Sequence, residues 1–233
     1  MRRALVFCVL TLASSLAPAA DCVVLLHGLA RTEQSMKPMQ RALDKAGFRT
    51  ANIGYPSRGH RIEKLAATAI PKGLRECRAH AGDGRIHFVA HSLGGILLRQ
   101  YLNDHDIAEL GRVVMLGPPN QGSKAADNLG RVPGFGWLNG PAGRQLGKGV
   151  DSVPRRLGPA RFELGVIAGS RTVDPFTSLL LDNPDDGRVS VEDTKLDGMR
   201  DFVVVPHSHA FMMRKRDTID LTIDFLQSGS FGR

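Results

Sequence analysis

Aromatic side chains are scarce in this chain: one Trp and two Tyr in 233 residues, with aromatics at 6% in all. Base-stacking surfaces for nucleic acid depend on such rings, so a nucleic-acid partner is not expected. The three cysteines show no zinc-type Cys/His spacing, and neither a metal nor an organic cofactor is implied. A glycine loop of the phosphate-cradling kind is absent as well. Beyond the first twenty residues no apolar run is long enough to cross a bilayer. Negative charge is in deficit: 23 Asp and Glu face 31 Lys and Arg, a formal charge of +8. Such an excess permits contact with anionic surfaces without identifying one. The rest is ordinary for a globular protein, 42% hydrophobic and 23% charged. The length suits one α/β domain and is short for two. Oligomeric state is not written in any of these features.

The first residues have a pattern of their own. Arg2 and Arg3 precede an apolar run over 4–12, and the small residues Ala13, Ser14, Ser15, Ala17 and Ala19 follow. This is the three-part layout of a secretory signal, with cleavage expected after Ala19. The protein is then exported, periplasmic or extracellular, and 20–233 form the mature domain. Cys8 leaves with the signal, whereas Cys22 and Cys77 remain. An even count in an oxidising compartment predicts one disulfide, tying the start of the first strand to the end of a helix.

Short apolar runs alternate with helical stripes along the remainder. Strands are expected at 23–26, 48–53, 85–90, 113–116, 163–168 and 202–205. A helix over 32–46 carries Met36, Met39 and Leu43 on one face and stops at Gly47. A second, over 62–77, carries Ile62, Leu65, Ala69 and Leu74, with Pro71 expected to kink or break it. A third covers 93–103. The last covers 217–227, with Ile219, Ile223 and Leu226 expected to face inward. Strands separated by helices predict an α/β fold, a mostly parallel sheet of about six strands with helices on both faces. Ligands in such sheets sit beyond the carboxyl ends of the strands. One stretch breaks the pattern: 117–159 holds ten Gly and six Pro. It is expected to run irregularly across the sheet and to form a wall or partial cover of the site.

Three turns carry the chemistry. The turn after the third strand reads Ala90-His91-Ser92-Leu93-Gly94-Gly95. Small residues two before and two after Ser92 fit a sharp strand-to-helix turn that lifts a nucleophilic hydroxyl above the sheet. The turn after the first strand reads Leu25-Leu26-His27-Gly28-Leu29-Ala30. Acyl transfer needs two N–H donors for an oxyanion. Leu93, the residue after the nucleophile, can supply one and Leu29 the other, with His27 holding the loop. An acid and a base must follow, in that chain order. Asp185 and Asp186 are the neighbouring acid candidates, with Asp174 and Asp193 further off; the base is His207 or His209. The other histidines have no placement argument and are expected to be surface or packing residues.

These turns resemble the α/β-hydrolase superfamily, specifically its small bacterial lipase and esterase branch. The motifs that carry the resemblance are LLHGLA, AHSLGG, GPPNQGS over 117–123, and DDGRVSVEDTKLDGM leading to PHSHAFMM. It spans 22 to about 225. Many lipases of this type place the acid in an Asp-Gly-x-Val turn and the histidine after the next strand. The resemblance therefore implies Ser92 as nucleophile, Asp186 as acid and His209 as base. It also implies cleavage of a small-molecule or lipid ester through an acyl-enzyme. Asn120 stands where those lipases carry His, so a role of that His does not transfer. The same intermediate would serve an acyltransferase, and a non-catalytic binding module can use this fold; these remain the alternative readings.

Overall fold

The computed structural model describes residues 20–81, 84–130, 135–173, 178–179 and 181–232. The expected signal over 1–19 and the acid candidate Asp174 lie outside them. Six strands, β1 (Cys22–Leu26), β2 (Arg49–Ile53), β3 (Ile86–His91), β4 (Leu110–Leu116), β5 (Leu164–Gly169) and β6 (Asp201–Val205), form one sheet. The order is β2-β1-β3-β4-β5-β6 and every pairing is parallel. From β1 the chain moves outward to β2, then returns past β1 to build the rest. The turns after β1 and β3 therefore diverge at neighbouring strand ends. That reversal opens a crevice above the sheet, where α/β proteins place ligands.

Side chains alternate along each strand, and the sheet is covered twice. Val24 and Leu26 join Phe88, Ala90 and Met115 in one core, beneath α2 (Ile62–Ala81) and α3 (Leu93–Asp104). Val23, Leu25, Val89 and Leu116 face the other way, toward Met39 and Leu43 of α1 (Lys37–Lys45) and Phe225 of the C-terminal helix over Arg216–Ser228. The inner strands β1, β3 and β5 read as largely apolar runs because both faces are buried, whereas the edge strand β2 is partly exposed.

Three details depart from the sequence expectations. Pro71 does not break α2, which continues to Ala81. The carbonyl it leaves without a helical donor belongs to Ala67, an exposed residue, so water can serve that oxygen. The C-terminal helix buries Thr218, Thr222, Phe225 and Leu226, while Ile219 and Ile223 are only partly covered. A threonine can occupy the inward stripe because its hydroxyl bonds within the helix: Thr222 Oγ1 donates to the Thr218 carbonyl at 2.7 Å. The stretch after β4 is not irregular throughout. It holds α4 (Lys124–Gly130), α5 (Phe135–Arg144, interrupted at Gly140) and α6 (Val153–Arg156). Short helices with glycine and proline inside them leave little periodicity for a sequence to show.

This excursion is clamped to α3 by a buried arginine. The Arg99 guanidinium donates to Asn120 O and Oδ1 at 3.1 Å, to Pro154 O at 3.0 Å and to Gly158 O at 2.8 Å. Burial draws its pKa down to about 10. Amide oxygens satisfy the cation from several directions. Asn120, at the position where the lipase-like motif carries His, in turn donates to Thr194 O at 2.8 Å.

Cys22 and Cys77 are joined, with Cα atoms 5.6 Å apart, and link β1 to the last turns of α2. The bridge closes 55 residues of chain, which in the chain-entropy account contributes about 4 kcal/mol. The double variant Cys22→Ala/Cys77→Ala is expected to lose several kcal/mol in urea denaturation. Thiol titration of denatured, unreduced protein should find no free thiol at either residue. Two reactive thiols there would contradict the linkage.

Candidate active site

Ser92 sits between the end of β3 and the start of α3, with φ 53° and ψ −120°. A non-glycine residue in this region is strained by roughly 1–3 kcal/mol and needs its surroundings to hold it. Its amide donates to Leu116 O of the neighbouring strand at 2.9 Å, and its carbonyl accepts from Gly95 N at 3.0 Å. The small flanking residue is required by packing: a Cβ on Gly94 would lie 2.8 Å from both Cβ and O of Leu26. The turn therefore closes only over a residue without a side chain.

His209 lies in the loop that follows β6. Its Nε2 is 2.9 Å from Ser92 Oγ, and its Nδ1 is 2.7 Å from Asp186 Oδ2. Its backbone amide also donates to Asp186 O at 2.9 Å. The carboxylate is buried and held on its far side: Oδ1 accepts from the amides of Arg188 and Val189 at 2.9 and 2.8 Å. A hydroxyl donating to Nε2 and a carboxylate accepting from Nδ1–H fix one tautomer for the imidazole.

The competing residues point elsewhere. His207 Nε2 is 2.7 Å from both carboxylate oxygens of Asp217, at the start of the C-terminal helix. Asp185 Oδ1 accepts from Gly187 N at 2.7 Å and Oδ2 from Ser178 Oγ at 2.6 Å, an arrangement that shapes the turn around Asp186. Asp193 pairs with Lys148 at 2.5 Å.

The turn after β1 borders the same cavity. Leu29 and Ser92 both line it, together with His209; its volume is about 390 Å³. Leu93 opens α3, where a first-turn amide has no acceptor inside the helix. His27 is buried and stacked on Tyr55 with ring centroids 4.0 Å apart. Its Nδ1–H donates to Gly28 O at 2.9 Å, and its carbonyl accepts from the Tyr55 hydroxyl.

Three residues given no role by the sequence, Ser57, Gly117 and His91, also support this site. Ala30 has φ 55°, and its amide donates to Ser57 Oγ at 3.0 Å, so a serine 27 positions away pins the turn. Gly117, at φ 55°, backs the imidazole–carboxylate pair: a Cβ there would lie 3.0 Å from Asp186 Oδ2 and 3.1 Å from His209 Nδ1. His91 is buried beside His209, with ring centroids 4.7 Å apart, and its Nε2–H donates to His209 O at 3.0 Å. The sequence gives His91 no placement argument, although it adjoins Ser92 at a strand end. The long-range partners of Ser57 and Gly117 carry no local signal.

His27, His87 and His91 all have pKa values lowered from 6.5, in each case chiefly by burial. Burial favours their neutral form in the folded protein, whereas the unfolded chain takes up these protons near pH 6.5. The unfolded state binds more protons, so stability falls as pH drops below that value. Each histidine contributes up to about 1.4 kcal/mol per pH unit. The urea midpoint should therefore decline between about pH 6.5 and 5. A flat midpoint over that interval would show that these imidazoles charge without unfolding.

Among the described residues no group of three or more His, Cys, Asp or Glu is placed to hold a metal ion. None of their helices is long and apolar enough to cross a membrane.

Known proteins of similar shape share this architecture. The mature lipase BlEst2 of Bacillus licheniformis superposes with a TM-score of 0.72 at 19% identity, over 92% of this chain and 94% of that one. Phospholipase PlaB of Legionella pneumophila gives 0.70 at 17% identity, over 91% of this chain and 60% of that one. The metagenomic carboxyl esterase MGS0156 gives 0.61 at 21% identity, over 83% of this chain and 65% of that one. The chain thus spans less than two thirds of the latter two. No curated protein matches it by sequence. The model of the alpha/beta hydrolase family, however, matches residues 23–222. That match runs from the first strand past the loop of His209, and the chain belongs to the alpha/beta hydrolase family.

Proposed function

We propose that the protein is an exported serine hydrolase that cleaves carboxylic esters through an acyl-enzyme. The observation that carries this reading is the continuous relay from Ser92 Oγ through both nitrogens of His209 to Asp186, at 2.9 and 2.7 Å. Ser92 Oγ attacks the acyl carbon while its proton passes to His209 Nε2. The amides of Leu29 and Leu93 receive the oxyanion. The intermediate collapses as Nε2–H protonates the leaving alcohol and the carbon–oxygen bond breaks. Water then gives its proton to Nε2 and attacks the acyl carbon; the acid leaves and Ser92 recovers its proton. Asp186 holds the ring and stabilises its positive form throughout. No step calls for a metal or cofactor. The first nineteen residues and the Cys22–Cys77 bridge support export. The cavity beside Ser92 suits a small-molecule or lipid ester.

The direct test is labelling by a fluorophosphonate together with turnover of p-nitrophenyl esters of graded chain length. One label per molecule, mapped to Ser92, and ester turnover blocked by it are expected. Turnover that continues in fully labelled protein would refute the reading.

Ser57 gives a second test. It holds the Ala30 amide, and through it the turn that presents Leu29. One lost hydrogen bond of about 1.4 kcal/mol corresponds to tenfold in rate. Ser57→Ala should lower kcat about tenfold with little change in KM. A change confined to KM would assign Ser57 to substrate binding instead.

A further inference from the structure

Three arginines border this cavity. Arg31, Arg144 and Arg188 all line it, and among its described lining residues there is no Asp or Glu. They come from three separate parts of the chain. Arg31 follows the turn after β1, and its Nη2 donates to Ala210 O, next to His209, at 3.4 Å. Arg188 lies in the Asp186 turn; its amide donates to Asp186 Oδ1, and its carbonyl accepts from Ser123 Oγ at 2.7 Å. Arg144 ends α5, in the excursion that walls the cavity. All three residues are exposed, so their charges stand at the rim without a desolvation cost. The remainder of the lining is largely apolar, with Leu29, Pro119, Leu146 and Val189.

Taking the ester-hydrolase reading above as its basis, we infer that the substrate is an ester bearing an anionic group, a phosphate or a carboxylate, on a small apolar body. A cleft lined by one sign of charge concentrates the opposite sign and raises association rates. The guanidinium fork matches the oxygens of both anions. The apolar lining takes the acyl body. Without the expected signal, which carries Arg2 and Arg3, the chain still holds 31 − 2 = 29 Lys and Arg against 23 Asp and Glu, and this excess reinforces the same preference.

The test uses two matched pairs of esters. One is the p-nitrophenyl half-ester of adipic acid against p-nitrophenyl hexanoate; the other is hexanoyl glycerol phosphate against hexanoylglycerol. The readout is the ratio of kcat/KM, anionic over neutral, within each pair. In at least one pair the wild-type ratio should exceed one and fall with added salt. In the triple variant Arg31→Gln/Arg144→Gln/Arg188→Gln that ratio should drop about tenfold or more. The salt response needs no variant, so it stands whatever the triple variant's folding. Preference in the phosphate pair assigns a phospholipid-type ester, and preference in the carboxylate pair a dicarboxylic half-ester. Ratios at or below one in both pairs, with the neutral members cleaved, overturn the anionic subsite and leave the ester hydrolase standing. Fluorophosphonate labelling at Ser92 without cleavage of either pair also overturns it. No cleavage and no labelling would overturn both.

Discussion

Ser92→Ala and His209→Ala are each expected to lower kcat on a p-nitrophenyl ester by about 10⁶-fold, and the double variant by hardly more. The reason is that the two groups form one device. Without the imidazole, Ser92 Oγ has no acceptor for its proton; without the hydroxyl, the imidazole 2.9 Å away has nothing to activate. Removing the second therefore costs little once the first is gone. What survives comes from cavity binding and the oxyanion donors, a residual rate still above that in water. Both variants should fold, since Ala at 92 keeps the turn's packing and His209 lies in a loop over the cavity. Circular dichroism checks this, and kinetics on purified double and single variants measure the coupling. Effects that multiply across the two sites would mean that Ser92 and His209 act independently, which the 2.9 Å contact argues against.

The elbow around Ser92 was legible because everything it needs is local. A strand-like run, small residues at fixed offsets and a helical run after them lie within 85–103. The inner strands β1, β3 and β5 were legible for a similar reason: burial on both faces makes them compact, largely apolar runs. Their order was not, because β1 pairs with β2 and β3 across 20 or more intervening residues. Pairing partners of that kind leave no mark on the segments themselves. The same holds for the supports of the site. Ser57 looks like any loop serine until Ala30 folds against it, and Gly117 looks like one glycine among ten until Asp186 and His209 close around it. Thr222 misled for a different reason. Hydrophobicity is a proxy for burial, and a threonine whose hydroxyl is satisfied within its own helix is buried without being apolar. The choice between His207 and His209 came from resemblance. The structure brings His209 to Ser92 and His207 to Asp217.

Asp186→Asn is expected to lower kcat by about 10⁴-fold while leaving the fold in place. The mechanism is specific to how this carboxylate is held. Its Oδ1 accepts from the amides of Arg188 and Val189, at 2.9 and 2.8 Å. An asparagine must keep its carbonyl oxygen on those two donors, because its amide nitrogen would clash with them. The nitrogen therefore occupies the Oδ2 position, 2.7 Å from His209 Nδ1, and donates to it. His209 responds by carrying its own proton on Nε2, which faces Ser92 Oγ and can no longer accept. Substrate still fits the cavity, so the loss should fall on kcat more than on KM. Asp185→Asn should be mild by comparison, since Asp185 serves Gly187 N and Ser178 Oγ and has no contact with His209. His207→Ala should likewise spare turnover and show itself, if anywhere, in stability, through the lost partner of Asp217. Proton NMR of the imidazole would register the exchanged tautomer in Asp186→Asn directly. If Asp185→Asn instead proves the more damaging change, the acid is Asp185, and the turn must rearrange when substrate binds.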